Sequence, residues 1–538
     1  MNRFLSQLAA LSVCAFAIAA GNGCAVQPET GDEESEVVEF EQPFTSDVAT
    51  LLDFEFDGEL LTNSNTNLKG QVRAQMLYTV GHINAEPGVA RLDRLALTNL
   101  TVAAAGSLYR VRYHARLPVA WGSKTNLPSS YTLTLPRRVD AAGQNAFTTK
   151  YAATCADDAH DANVSNFWYH YRPRLSGCSL APADVVTANA TAKVSSENVI
   201  AKYPEFHKVW EDGALNVVSI FGKYEDGATT AADAGISAYN EFTTAVKAAF
   251  PAAQITTAST SDVTFKVDLG GGRRLQIVAL LVDNVRTAPA SFDQRYSELS
   301  PGADVIVYNG HAGLGANVRA LSQKGKFFPG KYQIFFMNGC DTFAYVDGAL
   351  AQVRATLNPD DVAGTKYMDI VSNAMPAYFM NMSEASLSLV RALANPAAPK
   401  SYGTIFREID ASQVVVVTGE EDNRFSPSYR PKSSWGGFHQ TGAVKKSEEV
   451  AFVTETLPPG TYSFTMTPDA SAAGGDADLY VRAGAAPTAT AAYKCKSYVY
   501  NSNERCVFTV TAPTVFRMIA KGDKLGVTSS FRIDAFAL

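Results

Sequence analysis

YQIFFMNGCDTF, residues 332–343, is a nearly uninterrupted apolar run that ends in glycine and cysteine. A second run, ADVIVYNGHAG at 303–313, ends in glycine and histidine. Strands that are apolar throughout are covered on both faces, which is typical of parallel strands in an α/β domain. Ligands and catalytic groups collect beyond the carboxyl ends of such strands. The pattern therefore predicts that Cys340 and His311 lie side by side at one edge of a sheet.

The sequence around these two runs alternates between strand and helix patterns. LNVVSIFG (215–222) and SQVVVVTG (412–419) are further apolar strands, and ADAGISAYNEFTTAVKAAF (232–250) has helical spacing. NVRALSQKGKF (317–327) is a helix that can cross between the two neighbouring parallel strands. In TFKVDLGGGRRLQIVALLV (264–282) the glycines lie between two strands and no Gly-Lys-Ser/Thr follows, which predicts a hairpin. We therefore predict a three-layer α/β domain over residues 202–430.

The flanks of this domain have the short, alternating pattern of β-rich units. LYRVRYHARLPVAW (108–121), SYTLTLP (130–136) and FWYHYRPRL (167–175) predict a β-sandwich-like domain over residues 46–201. The aromatic residues of its last segment are expected in the core rather than on a binding stripe. TYSFTMTPDA (461–470) and DADLYVRAG (476–484) predict a β-sandwich over residues 447–538. With 538 residues the chain is expected to be multidomain.

The start of the chain has features of export. An apolar run from Phe4 to Ala20 predicts a signal peptide over residues 1–23. GNGC at 21–24 resembles a bacterial lipoprotein processing site, which implies acylation of Cys24 and a lipid anchor at the cell envelope or outer surface. Cleavage nearby with release is the alternative. Residues 24–45 are expected to form an acidic tether, and the formal net charge of −7 without a basic patch argues against nucleic acid.

The cysteines leave one thiol over. With Cys14 and Cys24 set aside, five remain, and an odd number cannot all pair within the chain: Cys155, Cys178, Cys340, Cys495 and Cys506. Short-range pairing in an oxidising envelope favours one disulfide between the first two and another between the last two. Cys340 is left as a reactive thiol or as a buried, inert one.

A thiol beside an imidazole suggests nucleophilic chemistry. His311 could take the proton of Cys340 or stabilise the thiolate. The backbone N–H groups of Ala312 and Cys340 could hold the oxyanion that forms when the thiolate attacks a carbonyl. No His-Glu-x-x-His and no Gly-x-Ser-x-Gly occurs, so the sequence does not support a zinc or serine mechanism.

The two strand-end motifs resemble the caspase-like cysteine peptidases of clan CD, in which the first element carries the histidine and the second the nucleophile. The resemblance implies His311 as general base, Cys340 as nucleophile, a protein or peptide substrate and no cofactor. It also implies that the N-terminal domain is a propeptide or a positioning module. A non-catalytic surface binding protein built on a retired peptidase core is the alternative.

GGDADLYVRAGAAPT (474–488) and YKCKSYVYNSNERCVF (493–508) resemble the bacterial pre-peptidase C-terminal domain, a small β-sandwich appended to many secreted peptidases. The matching residues are Asp476, Asp478, Leu479, Tyr480, Pro487, Cys495, Glu504 and Cys506. Some members of that family are associated with calcium, so Asp476 and Asp478 are weak calcium candidates. Capping of a turn without metal is the alternative.

Overall fold

The computed structural model describes residues 43–159, 162–407, 409–420, 425–427, 437–468, 475–488, 495–496, 502 and 504–537. Within them the protein is multidomain and rich in β-sheet, with four sheets. The sheets fall into three consecutive parts of the chain, which we call the N-terminal unit (43–201), the central unit (202–427) and the C-terminal unit (437–537). The predicted signal peptide, Cys24 and nearly all of the acidic tether lie outside the described residues.

The N-terminal unit is one antiparallel sheet covered by helices, and the two-sheet sandwich predicted for it was wrong. The sheet has the order β2-β4-β1-β6-β5, with β3 paired to β4. The alternating pattern indicates that one face of the sheet is buried, but it does not indicate what covers that face. Helices rather than a second sheet cover it. Its elements are β1 (Thr50–Thr62), α1 (Leu68–Asn84), β2 (Gly88–Ala90), β3 (Ala96–Ala105), β4 (Leu108–Trp121), β5 (Ser130–Pro136), α2 (Ala141–Cys155), α3 (Phe167–His170) and β6 (Val185–Val194).

The aromatic segment predicted as a strand is the short helix α3. Phe167 and Tyr171 are fully buried, and Trp168 is nearly so, which confirms the prediction for these three rings, whereas Tyr169 is only partly buried, so the prediction was wrong for that ring. The rings of Phe147 and Tyr78 pack against them. A short aromatic run is compatible with either a strand or a helix. Here packing against the surrounding core favours the helix.

The central unit contains an eight-stranded sheet of order β14-β13-β12-β11-β7-β10-β9-β8. The five strands from β13 to β10 are parallel to one another, and the outer strands are antiparallel. Its elements are α4 (Phe206–Val209), β7 (Ala214–Gly222), α5 (Ala234–Ala249), β8 (Gln254–Ser259), β9 (Asp262–Gly270), β10 (Arg273–Val282), α6 (Ala290–Leu299), β11 (Val305–Asn309), α7 (Ala316–Lys324), β12 (Gln333–Asn338), α8 (Gly348–Leu357), β13 (Met368–Asn373), α9 (Phe379–Leu393), α10 (Tyr402–Phe406) and β14 (Val415–Gly419).

Alternate residues of these parallel strands face two different cores. Phe335 and Met337 of β12 belong to a core that continues into the N-terminal unit, whereas Ile334 and Phe336 belong to a core with α5, α9 and α10. Both faces of the sheet are therefore covered, which confirms the reading of the apolar runs. The predicted hairpin and the helices α5 and α7 are also present, and α7 connects the parallel strands β11 and β12.

The C-terminal unit consists of two four-stranded antiparallel sheets, as its alternating pattern predicted. Phe464 and Phe531 of one sheet and Leu479 and Met518 of the other share a single core. Its strands are β15 (Phe438–Val444), β16 (Glu449–Leu457), β17 (Gly460–Pro468), β18 (Ala477–Ala483), β19 (Cys495–Lys496), β20 (Glu504–Val510), β21 (Thr514–Gly522) and β22 (Ser529–Ala537).

The flanking units are joined to the central unit by different contacts. Thr45 extends the central sheet beyond β14 by exchanging two backbone hydrogen bonds of 2.9 Å with Val417. Arg505 of the C-terminal unit forms a buried ion pair with Glu211, which precedes β7, at 2.8 Å. Among the described residues no helix is long and apolar enough to cross a membrane.

Candidate functional site

Three neighbouring strands of the central sheet end in asparagine, and these side chains hold the strand ends together. Asn309, Asn338 and Asn373 end β11, β12 and β13 and are fully buried. Asn338 donates to Asn309 at 2.8 Å, and Asn373 donates to Asn338 at 3.0 Å. Because a buried amide is costly unless it is paired, this ladder fixes the positions from which the following turns start.

The turns after β11 and β12 approach each other through glycine. A Cβ atom on Gly339 would lie 2.4 Å from the carbonyl oxygen of Gly310, a distance that no side chain tolerates. Only glycine therefore fits at position 339. The residues that follow the two glycines, His311 and Cys340, line one pocket at the carboxyl edge of the sheet, as the sequence predicted.

His311 is exposed and lies between two aromatic rings. The ring centroids of Tyr224 and Phe379 are each 5.0 Å from that of His311. Its Nε2 is 3.2 Å from the carbonyl oxygen of Tyr224. Since a carbonyl only accepts, this contact places the ring proton on Nε2 and leaves Nδ1 as an acceptor. The imidazole is thus oriented by groups other than the thiol.

Cys340 is mostly buried, and its thiol donates to the carbonyl oxygen of Ala377 at 3.5 Å. Burial, together with the negative charge of Asp341, raises the pKa of the thiol above its ordinary value. Activated cysteines have a lowered pKa, because the thiolate is the nucleophile. The thiol is therefore in its protonated form at neutral pH.

The predicted catalytic groups share a pocket without being joined. No hydrogen bond links His311 and Cys340 within the described part of the chain. Ala312, predicted with Cys340 as an oxyanion donor, lines the same pocket. Neither of these two backbone N–H groups donates to another residue among those described. The sequence thus predicted the neighbourhood of these residues, and the contact between thiol and imidazole is not formed.

The opposite wall of the pocket comes from the N-terminal unit, which the sequence did not connect with this site. Asn163, Asn166, Tyr169 and His170 line it. They lie in the segment closed by the disulfide between Cys155 and Cys178. This disulfide confirms the pairing that was predicted from the sequence. The space between the two walls, which we call the interunit pocket, has a volume of about 470 Å³.

Asp341 connects the two walls. It is fully buried and accepts hydrogen bonds from Asn84 at 2.8 Å and from the hydroxyl of Tyr169 at 3.1 Å. Burial raises the pKa of its carboxyl to about 6, although these two hydrogen bonds oppose the shift. Asp341 and Leu314, each in one of the two turns, have φ values of 52° and 51°. Non-glycine residues rarely adopt such values, and this strain clusters at functional sites.

The pocket contains a second histidine, His170, which is paired with a carboxylate and was not predicted from the sequence. Nδ1 of His170 lies 3.0 Å from Oδ1 of Asp157, and Arg172 pairs with Oδ2 of the same carboxylate. Burial raises the pKa of Asp157, but the hydrogen bond with His170 and the charge of Arg172 outweigh it, so the pKa lies below its ordinary value. The only signal in the sequence is that both residues fall between the two paired cysteines.

The other predicted site residues lie elsewhere. Cys506 is disulfide-bonded, whereas the side chain of its predicted partner Cys495 lies outside the described residues. The pKa of Asp476 is raised by burial and by the negative charge of Asp478. No group of three or more His, Cys, Asp or Glu side chains that could hold a metal ion is found among the described residues. Calcium binding stays a prediction.

No family model matches this chain. A segment of 67 residues is 39% identical to a virulence metalloprotease of Vibrio anguillarum, and it covers 11% of this chain and 11% of that protein. The match to a neutral protease of Vibrio proteolyticus is 37% identical over 67 residues, with the same coverage. The chain thus spans about a tenth of the length of these curated relatives.

Likeness to solved structures is weak. A mitogen from Yersinia pseudotuberculosis matches 19% of this chain and 86% of its own, with 12% identity and a TM-score of 0.15. A Bacillus licheniformis lipase in propeptide form matches 60% of this chain and 75% of its own, with 10% identity and a TM-score of 0.14. Scores this low establish no shared fold.

The predicted function, a cysteine peptidase or an inactive relative of one, is corrected by these comparisons. The curated relatives are proteases, and the first is a metalloprotease rather than a cysteine peptidase. The geometry agrees with the correction, because the thiol of Cys340 donates to a carbonyl and its pKa is raised. His311 and Cys340 nevertheless line a pocket beyond the carboxyl ends of β11 and β12, at the sheet edge where the sequence placed them.

Proposed function

We propose that this protein acts on protein or peptide substrates and takes one segment of the substrate into the interunit pocket. The observation that carries the proposal is the position of that pocket, beyond the carboxyl ends of parallel strands, where α/β proteins bind their ligands. The names of the two Vibrio relatives, a metalloprotease and a neutral protease, support proteins as the substrate class.

The lining of the pocket suits a polypeptide. An extended peptide presents N–H donors, carbonyl acceptors and side chains along one strand. The pocket offers an imidazole acceptor at His170, backbone N–H groups at Ala312 and Cys340, and aromatic rings beside His311. These groups come from both walls, so a bound segment would contact the N-terminal and central units at once.

No metal is assigned to this pocket. The word metalloprotease belongs to the Vibrio protein, and the match covers about a tenth of it. Among the described residues no group of three or more His, Cys, Asp or Glu side chains could hold a metal ion, so the proposal names no metal ligand.

We further propose that the protein works outside the cytoplasm. The disulfide between Cys155 and Cys178 supports this location, because such bonds persist in oxidising compartments. The predicted signal peptide and the GNGC sequence, which resembles a lipoprotein processing site, also support it. The two-sheet packing of the C-terminal unit supports its similarity to the pre-peptidase C-terminal domain.

Binding and cleavage of an unfolded protein test the proposed function. The purified full chain is incubated with denatured β-casein and with overlapping casein peptides, and fragments are identified by mass spectrometry while binding is followed by fluorescence anisotropy. Parallel samples contain 1,10-phenanthroline or iodoacetamide, which separate metal-dependent from thiol-dependent cleavage. A wild-type protein that neither binds nor cleaves any of these substrates contradicts the proposal.

A matched pair of variants locates the activity. Leu314→Glu places a charge in the lining of the pocket, whereas Leu525→Glu places the same charge on the C-terminal unit at a side chain that is 78% exposed. We expect the first variant to lose at least about tenfold in binding or cleavage, since an unpaired charge is costly to desolvate against the substrate. The second should match the wild type. Equal losses in both would exclude this pocket as the site.

A further inference from the structure

His170 lines the interunit pocket and has a ring nitrogen that is not hydrogen-bonded to any described residue. Its Nδ1 contacts Asp157, while Nε2 makes no hydrogen bond within the described part of the chain. The carboxylate of Asp157, which also pairs with Arg172, is ionised at neutral pH and can only accept. In the neutral imidazole Nδ1 therefore carries the ring proton, and Nε2 keeps its lone pair.

The ring is held in a fixed position. Arg172 is buried and donates to the carbonyl oxygen of Gly81 at 2.6 Å and to that of Tyr169 at 2.9 Å. The hydroxyl of Tyr169 donates in turn to Asp341 across the pocket. The side chain of His170 is 15% exposed, which leaves it accessible from the pocket. A preorganised acceptor of this kind loses little conformational entropy when a ligand binds.

The charged group that contacts the ring is itself paired. The titratable and charged groups of the two walls are Asp157, Asp158, Arg172, Tyr169, Tyr345, Asp341, Cys340 and His311. The carboxylate of Asp157 is paired with Arg172, and the thiol of Cys340 is protonated at neutral pH, whereas Asp341, with a pKa of about 6, is mostly ionised there. A neutral hydrogen-bond donor therefore fits this position better than an anion.

We propose that Nε2 of His170 accepts a hydrogen bond from a backbone N–H of the peptide bound in the interunit pocket. This inference rests on the proposed function and names the group that recognises the substrate backbone. A peptide N–H is a neutral donor that needs a partner once it leaves water.

An ester scan of the peptide tests this contact. A fluorescein-labelled casein peptide that binds the full-length wild type is compared with analogues in which one amide N–H at a time is replaced by an ester oxygen. We expect one analogue to bind the wild type about tenfold more weakly, the value of one well-formed hydrogen bond. His170→Phe keeps the ring shape without the acceptor, so it should bind the parent peptide more weakly and show no penalty for that ester.

The control is a histidine–carboxylate pair outside the pocket. His114 on β4 contacts Asp57 at 2.9 Å, and His114→Phe should keep the ester penalty. An ester penalty that persists in His170→Phe overturns the inference and leaves the proposed function standing. A wild type that binds no peptide overturns both. If His170→Phe does not fold, the same ester comparison is made with His170→Leu, and a penalty that persists there overturns the inference.

Discussion

The two flanking units contact the central sheet in different ways, and only one of them takes part in the interunit pocket. The N-terminal unit meets the turns at the carboxyl ends of the strands through Asn84 and Tyr169, which donate to Asp341. The C-terminal unit meets the amino ends, where Arg505 contacts Glu211 and the carbonyl oxygen of Pro329. Contacts at the amino ends of a parallel sheet serve stability, whereas contacts at the carboxyl ends can serve a site. We therefore assign a structural role to the interface at the amino ends and, under the proposed function, a functional role to the interface at the carboxyl ends.

The largest expected effect is at the amino-end interface. In the ion pair of Arg505 with Glu211 the side chains are 1% and 2% exposed, and Arg354 lies close enough for the two guanidinium charges to repel. Glu211→Ala leaves Arg505 buried without its partner, which should lower the free energy of unfolding by about 4 kcal/mol. Denaturant unfolding of the full chain measures this loss.

Peptide binding by the same variant separates the two interfaces. If the amino-end contact is structural, Glu211→Ala should bind peptide as the wild type does under conditions where it remains folded. A folded variant with lost binding would show that the C-terminal unit is coupled to the interunit pocket.

The second effect concerns the disulfide of the N-terminal unit. Replacing both Cys155 and Cys178 by serine removes the closure of the segment that carries His170 and should cost about 3 kcal/mol. Because that segment is one wall of the pocket, peptide affinity should fall together with stability. Urea unfolding and anisotropy on the same samples test this, and unchanged affinity would contradict the functional role of this wall.

The third effect is a pH dependence at Asp341. Its carboxyl has an ordinary pKa of 3.8 and a folded pKa of about 6, so the folded state binds its proton more tightly than the unfolded state does. Stability from this group is therefore present in acid and is lost as the pH rises through about 6. Asp341→Asn removes the ionisation and should be more stable than the wild type at pH 7 by about 3 kcal/mol. Unfolding at pH 7 and at about pH 4 checks the sign, because the difference between the two proteins should shrink in acid.

A smaller effect concerns the reactivity of Cys340. Because burial and the charge of Asp341 raise its pKa, iodoacetamide at about pH 8 should alkylate it several-fold more slowly than it alkylates a cysteine in a short peptide. Mass spectrometry of the native protein gives the rate, and the urea-unfolded protein is the control. Labelling faster than the peptide would indicate an activated thiol.

The smallest effect is expected at an exposed contact between the N-terminal and central units. Arg407 pairs with Asp47 at 3.0 Å, with side chains that are 62% and 35% exposed. Arg407→Ala should change the free energy of unfolding by less than about 1 kcal/mol, because solvent screens such pairs. A loss as large as that of Glu211→Ala would mean that both interfaces depend on charge to the same degree.

The sequence was most informative where a residue pattern allows one structure. The runs that became β11 and β12 are apolar on both faces, so only a covered parallel sheet suited them, and the glycines after them marked the turns. The alternating pattern of the N-terminal unit shows that one face of its sheet is buried. It does not show whether helices or a second sheet cover that face. The pairing of Asp157 with His170 depends on how the disulfide-closed segment folds, and spacing alone does not encode it.

The strand addition at Thr45 bears on any processing of this chain. Ile200, in the connection between the N-terminal and central units, is 98% exposed and offers a proteolytic enzyme an open peptide. A single cut there would leave Thr45 paired with Val417, and Ser46 would still donate to the carbonyl oxygen of Val415. The two fragments would therefore remain a noncovalent complex. Maturation that releases the N-terminal fragment would require a second event that breaks the backbone hydrogen bonds between Thr45 and Val417.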